Sequence, residues 1–153
     1  MIRQLAHVCI HTRNLDAMVE FYSGPLGLPV KFNLRNEAGE TVGVYLECGQ
    51  TTFLELFDQD RVIAMFGGEK VALDAAPTRL QHFCFEVTGL EAMRARLDAA
   101  GVPYLDTGVG LDHAAQTWIG DPDGNAVELM EYRADSLQLV GEPPLAAVTE
   151  LPA

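Results

Sequence analysis

The stretch Trp118 to Tyr132 reads W-I-G-D-P-D-G-N-A-V-E-L-M-E-Y, and its turn and strand organise the reading of the whole chain. Asp121-Pro122-Asp123-Gly124 is a strong turn signal. The Pro122 ring presets φ for the second turn position, and Gly124 tolerates positive φ. From Asn125 to Tyr132 the residues alternate as in a strand, with Ala126, Glu128 and Met130 on one face and Val127 and Leu129 on the other. Glu128 is out of place among apolar neighbours, because an unpaired carboxylate is costly to bury. Either its face is solvated or the carboxylate has a cationic partner.

Upstream, Leu5 to Thr12 reads as a strand, with Val8 and Ile10 on one face and His7, Cys9 and His11 on the other. Asn14 can cap a helix over Leu15 to Tyr22 whose apolar stripe is Leu15, Met18, Val19 and Tyr22, and Ser23-Gly24-Pro25 ends it. Strands are expected at Val30 to Arg35, Thr41 to Cys48 and Thr51 to Phe57, giving βαβββ. Asp58 to Arg79 lacks a clear period and reads as a connector, with one helical turn near Val62 to Phe66. The pattern then restarts. A strand is expected over Leu80 to Val87, and Thr88-Gly89-Leu90-Glu91 matches a capping box. The helix it opens carries Leu90, Met93, Leu97 and Ala100 on one face, and Gly101 stops it. Short strands near Pro103 to Asp106 and Ala115 to Gly120 lead into the opening stretch. The tail from Ala134 has no period.

The two halves form an internal repeat. A displacement of 75 positions aligns Leu5 with Leu80, His7 with His82 and Cys9 with Cys84, and one of 73 aligns Glu55 with Glu128. Each half therefore has one His on its first strand and one Glu on its last. We expect a single α+β domain over 1–132, built of module 1 (1–57), a connector (58–79) and module 2 (80–132), with a tail over 133–153.

A chain of 153 residues suffices for one well-packed domain. A net charge of −12 argues against nucleic acid and anionic membrane surfaces as partners, since both require basic patches. Arg3 and His7 interrupt the apolar start, so no signal peptide is expected, and no run reaches the length of a membrane span. Three cysteines (Cys9, Cys48, Cys84) lack zinc-finger spacing and point to a reducing cytoplasm rather than a disulfide framework.

Two imidazoles and two carboxylates suit a divalent transition metal (Zn, Ni, Co, Mn or Fe) and leave coordination positions open. Singly, each of these residues reads more simply as a satisfied core histidine or a carboxylate on a solvated face. Four in matched pairs favour the metal. Cys9 and Cys84 share the face of these ligands, with packing as their first reading and pocket lining as the second. His113, in the loop T-G-V-G-L-D-H, is an exposed loop histidine within possible reach of the cleft mouth. Phe53 and Phe57 share the face of Glu55 and are candidates for the pocket wall.

The segments L-A-H-V-C-I-H-T-R-N-L-D-A-M-V-E-F-Y (5–22), T-F-L-E-L-F (52–57), L-Q-H-F-C-F-E-V (80–87) and D-P-D-G-N-A-V-E-L (121–129) resemble the vicinal oxygen chelate superfamily. That group contains glyoxalase I, methylmalonyl-CoA epimerase, extradiol dioxygenases, and the fosfomycin- and bleomycin-resistance proteins. The resemblance implies paired βαβββ modules forming a curled mixed sheet around a metal cleft. It places His7, Glu55, His82 and Glu128 on the four ligand positions, a set most like bacterial glyoxalase I. It also implies catalytic roles for Glu128, as base, and for Glu55. Where glyoxalase I enzymes usually carry an arginine for the glutathione carboxylate, this chain has His11, and Asp58-Gln59-Asp60 replaces an expected asparagine. A substrate other than the glutathione hemithioacetal of methylglyoxal is expected, with His11, Cys9, Cys84, Phe53, Phe57 and His113 as candidate contacts.

The resulting expectation is a cytoplasmic, homodimeric, metal-dependent lyase or isomerase that moves a proton beside a chelated carbonyl of a small molecule. The alternatives are an Fe(II) extradiol-type dioxygenase and a non-catalytic protein that binds a small molecule such as an antibiotic.

Overall fold

The computed structural model describes residues 5–70 and 82–141. In chain order its elements are β1 (His7–Thr12), α1 (Leu15–Ser23), β2 (Val30–Arg35), β3 (Thr41–Glu47), β4 (Phe53–Asp58), α2 (Gln59–Phe66), β5 (His82–Glu86), α3 (Leu90–Ala100), β6 (Tyr104–Val109), β7 (Ala115–Gly120), β8 (Ala126–Glu131) and α4 (Leu137–Val140). The fold is α+β and made of two βαβββ modules. Their four-stranded mixed sheets run β1-β4-β3-β2 and β5-β8-β7-β6 and do not close into a barrel. In each sheet the first strand lies parallel to the last, and the remaining pairs are antiparallel. A parallel neighbour needs a long crossover, here a helix and two strands.

Strand alternation splits each sheet into an apolar face and an open face. Ile10, Leu46, Leu54 and Leu56 from the first sheet join Ile119, Val127 and Leu129 from the second in one core. Leu15, Met18 and Tyr22 of α1 and Leu90 and Leu97 of α3 complete it. Each fully buried aliphatic side chain contributes about 1.5–3 kcal/mol. The modules therefore share their apolar interior instead of burying two separate ones.

A polar bond ties them further. Tyr22 on α1 is fully buried, and its hydroxyl donates to Asp121 Oδ2 at 2.8 Å. Asp121 sits in the turn before β8 and also accepts from the amides of Asp123 (3.1 Å) and Asn125 (2.8 Å) and from Asn125 Nδ2 (2.8 Å). Gly124 closes the turn on the Asp121 carbonyl at φ 82°, as the turn chemistry requires.

Several local expectations change. Asn14 caps α1 as read, accepting from the Ala17 amide at 3.2 Å. For α3, however, the Thr88–Glu91 capping box does not form. Gly89 is the N-cap without a side-chain bond, and the Glu131 carboxylate accepts from the amides of Gly89 (2.6 Å) and Leu90 (3.1 Å). A carboxylate at a helix start satisfies free N–H groups and opposes the dipole. Ala100, expected on the buried face of α3, is exposed. The connector begins with a two-turn helix, α2, capped by Asp58 accepting from the Arg61 amide at 3.0 Å. The tail carries the short α4, fixed by the Leu137 amide donating to the Asp112 carbonyl at 2.8 Å. Leu80 and Gln81 of the expected strand, the rest of the connector over 71–79 and the tail beyond 141 lie outside the described residues.

Candidate functional site

The strand registers build two equivalent half-sites on the open faces. In the first sheet a cross-strand row runs Cys9, Glu55, Tyr45, Phe32. In the second the corresponding row runs Cys84, Glu128, Trp118, Leu105. His7 and His82 stand two residues before the cysteines, on the same faces. His7 Nε2 lies 3.6 Å from Glu55 Oε2, and His82 Nε2 lies 3.4 Å from Glu128 Oε2.

The members of each pair differ in exposure. Glu55 and Glu128 are buried, whereas the imidazoles of His7 and His82 are 46% and 37% exposed. Two donors each about 2.1 Å from one ion stand roughly 3–3.5 Å apart. The spacing of each pair, the borderline nitrogen and oxygen donors and the burial of the carboxylates thus fit one divalent ion. Among the described residues, no three His, Cys, Asp or Glu side chains converge to hold a metal. The expected ligands are therefore brought together as two pairs and not as one set of four. His7 and His82 nevertheless border one cavity of about 540 Å³, with Cys48, Phe53, Cys84 and Glu86 also in its wall.

The surroundings of the two carboxylates are not equal. Glu55 stands in register between Cys9 on β1 and Tyr45 on β3. Beside Glu128 in register stand Cys84, whose thiol donates to the Phe85 carbonyl at 3.7 Å, and Trp118, whose ring meets His82 edge-on at 4.8 Å. Partial shielding of the sulfur itself, then the neighbouring Glu55 carboxylate, pushes the Cys9 thiol up to about 12. Shielding and then the Glu128 charge push Cys84 up to about 12, and shielding followed by Glu55 pushes Tyr45 up to about 12. All three groups stay protonated near neutral pH. As whole residues Cys9 and Cys84 are exposed on the open faces, so the packing role first read for them does not hold.

The other expected contacts divide. Phe53 and Phe57 lie on the open face of β4, in register with His7 and His11. His11 meets the Phe57 ring edge-on at 6.1 Å. Phe57 lies over Gly43, where a Cβ would stand 2.5 Å from its ring. His113, at φ 67°, bonds through Nδ1 to the Asp135 carbonyl at 3.1 Å and is exposed. Asp58, in the run that replaces the expected asparagine, is engaged as the cap of α2. Sequence reading passed over Tyr45 and Phe32. Their place in the site depends on the β2–β3–β4 pairing, and only the alternation Val44-Tyr45-Leu46 hinted that Tyr45 turns away from the core.

Among the described residues no helix is long and apolar enough to cross a membrane. A family model described as the Glyoxalase/Bleomycin resistance protein/Dioxygenase superfamily matches residues 4–129. Among solved structures, a glyoxalase family protein from Enterococcus faecalis is 26% identical, with 84% of this chain and 98% of that one covered at a TM-score of 0.62. A lactoylglutathione lyase from Agrobacterium tumefaciens is 24% identical, with coverages of 84% and 92% and a TM-score of 0.61. An integron cassette protein from V. cholerae shares the fold at 21% identity, with coverages of 87% and 98% and a TM-score of 0.60. No curated protein matches the chain.

Proposed function

Because the chain belongs to the Glyoxalase/Bleomycin resistance protein/Dioxygenase superfamily, we propose that it is a metal-dependent lyase or isomerase of the glyoxalase kind. It would move a proton beside the carbonyl of a small-molecule substrate. The observation that carries this reading is the duplicated pair, an exposed imidazole beside a buried carboxylate at matching register in both sheets.

His7, Glu55, His82 and Glu128 would hold one Zn, Ni, Co, Mn or Fe ion, which supplies Lewis-acid polarisation of the substrate carbonyl. Glu55, flanked in register by Tyr45 and Cys9, serves as a ligand. Glu128 serves as the base. One of its oxygens accepts the proton from the carbon beside the carbonyl and returns it to the neighbouring carbon. The two pairs do not converge within one chain, and this supports joining His7 and Glu55 of one copy to His82 and Glu128 of a second in a twofold dimer.

Elemental analysis of untagged protein tests the reading. The His7→Ala and His82→Ala variants should each lose bound metal. Mixing the two under conditions that exchange subunits should restore about a quarter of the wild-type metal, because random pairing rebuilds one intact site in half of the dimers. No restoration would overturn the shared site. Unchanged metal in both single variants would overturn the ligand assignment.

A further inference from the structure

We infer that the open face of the first module selects a substrate with a flat, uncharged aromatic body, held against Phe32 and Tyr45 beside the His7–Glu55 pair. The carbonyl chemistry of that substrate rests on the reading above, whereas the ring-binding surface has its own geometry. Phe32 and Tyr45 face each other across β2 and β3 with centroids 4.4 Å apart and planes 18° from parallel. Tyr45 in turn meets Phe53 at 5.9 Å and His7 at 6.0 Å, both edge-on. A continuous aromatic row thus leads from the edge strand to a proposed ligand imidazole.

Phe32 is 43% exposed on that edge strand, at a position where an uncovered aromatic invites unwanted pairing. Its near-parallel stacking on Tyr45 can be continued by a third ring. Charge narrows the class. Lys31, beside Phe32 on β2, and Glu47 offset each other at 3.3 Å, so the net charge of −12 sets the sign of the field. An anionic body is therefore disfavoured.

The test compares three probes on the full-length protein by calorimetry and saturation-transfer NMR, with metal content measured on the same samples. The probes are 2-hydroxyacetophenone, hydroxyacetone (the same two oxygens without the ring) and 4-(hydroxyacetyl)benzoate (the ring with an added carboxylate). The neutral ring compound should bind roughly tenfold more tightly than hydroxyacetone, and the carboxylated ring more weakly than the neutral one. Phe32→Ala should bring the ring compound to within about twofold of hydroxyacetone with metal content and circular dichroism unchanged, while Phe32→Tyr should retain the preference. Equal binding of the two neutral probes by the wild type, or a full preference in Phe32→Ala, would overturn the inference. So would tighter binding of the carboxylated ring. A Phe32→Ala chain that loses self-association but keeps its ring preference would assign the face to a second copy instead. Ring preference in a protein that binds no metal would refute the metal reading alone. Metal binding without ring preference would refute this inference alone.

Discussion

Removing one oxygen atom, in Tyr22→Phe, isolates the bond between the modules. The ring should keep its place, since its edge-on neighbour Phe21 at 5.2 Å and the Phe83 and Phe85 rings at 6.4 and 6.5 Å are unaffected. No cavity larger than the lost hydroxyl is left. What disappears is a 2.8 Å hydrogen bond from a fully buried side chain to a buried carboxylate. Hydrogen bonds to charged groups contribute about 1.5–3 kcal/mol. Asn125 Nδ2 still donates to the same Asp121 oxygen, so the loss belongs at the lower end, about 1.5–2 kcal/mol. For a chain of this length that lowers Tm by roughly 3–8 °C. Urea titration at pH 7 should show a lower midpoint with an unchanged slope. Burial, and after it the Asp121 charge, raises the ionisation of the Tyr22 hydroxyl above its ordinary range. The folded chain thus keeps a proton that the unfolded chain releases, and this contribution is complete below the ordinary tyrosine value and lost as pH rises above it. The difference between wild type and variant should therefore shrink above about pH 10. A change under about 0.5 kcal/mol at pH 7, within the range of neutral surface substitutions, would refute the idea that this bond holds the modules together.

Two further outcomes follow from the site and from the cap of α3. Glu128→Gln should retain metal while lowering proton exchange into a bound α-hydroxy carbonyl compound by roughly two to four orders of magnitude; deuterium exchange at the wild-type rate would remove Glu128 as the base. Glu131→Ala should unprotect the first-turn amides of α3 in hydrogen exchange. The bonds from Gly89 and Leu90 hold the Glu131 carboxyl below its ordinary value, so its contribution is present above the ordinary carboxylate range and lost as pH falls below it. Equal α3 protection in both proteins at neutral pH would show that the cap is idle.

Much of this was legible because strand alternation has a short period. The sequence His7-Val8-Cys9-Ile10-His11 already separates core from open face, and Glu128 between Val127 and Leu129 does the same. The repeat then doubled each signal. What stayed hidden depends on contacts distant in sequence. Glu131 caps a helix 42 residues upstream, and Tyr22 reaches Asp121 across 99 positions. Thr88 looked like the cap because the local motif is present, but Glu131 brings a full charge to the same amides. Tyr45 required the β3–β4 register, and α2 and α4 are too short to show a period.

The Tyr22–Asp121 bond also breaks the symmetry of the repeat. The displacement of 75 that places His7 on His82 carries Tyr22 onto Leu97, and the displacement of 73 that places Glu55 on Glu128 carries Cys48 onto Asp121. The bond thus exists once, although the scaffold offers its position twice. A chain assembled from two copies of the first half would bury two phenols without an acceptor, at about 1–3 kcal/mol apiece. One assembled from two copies of the second would keep the turn bonds to its aspartates and lose the phenol donor that joins them to the other module. The two halves are therefore not interchangeable at this position, since each carries one partner of a bond that neither could make with a copy of itself.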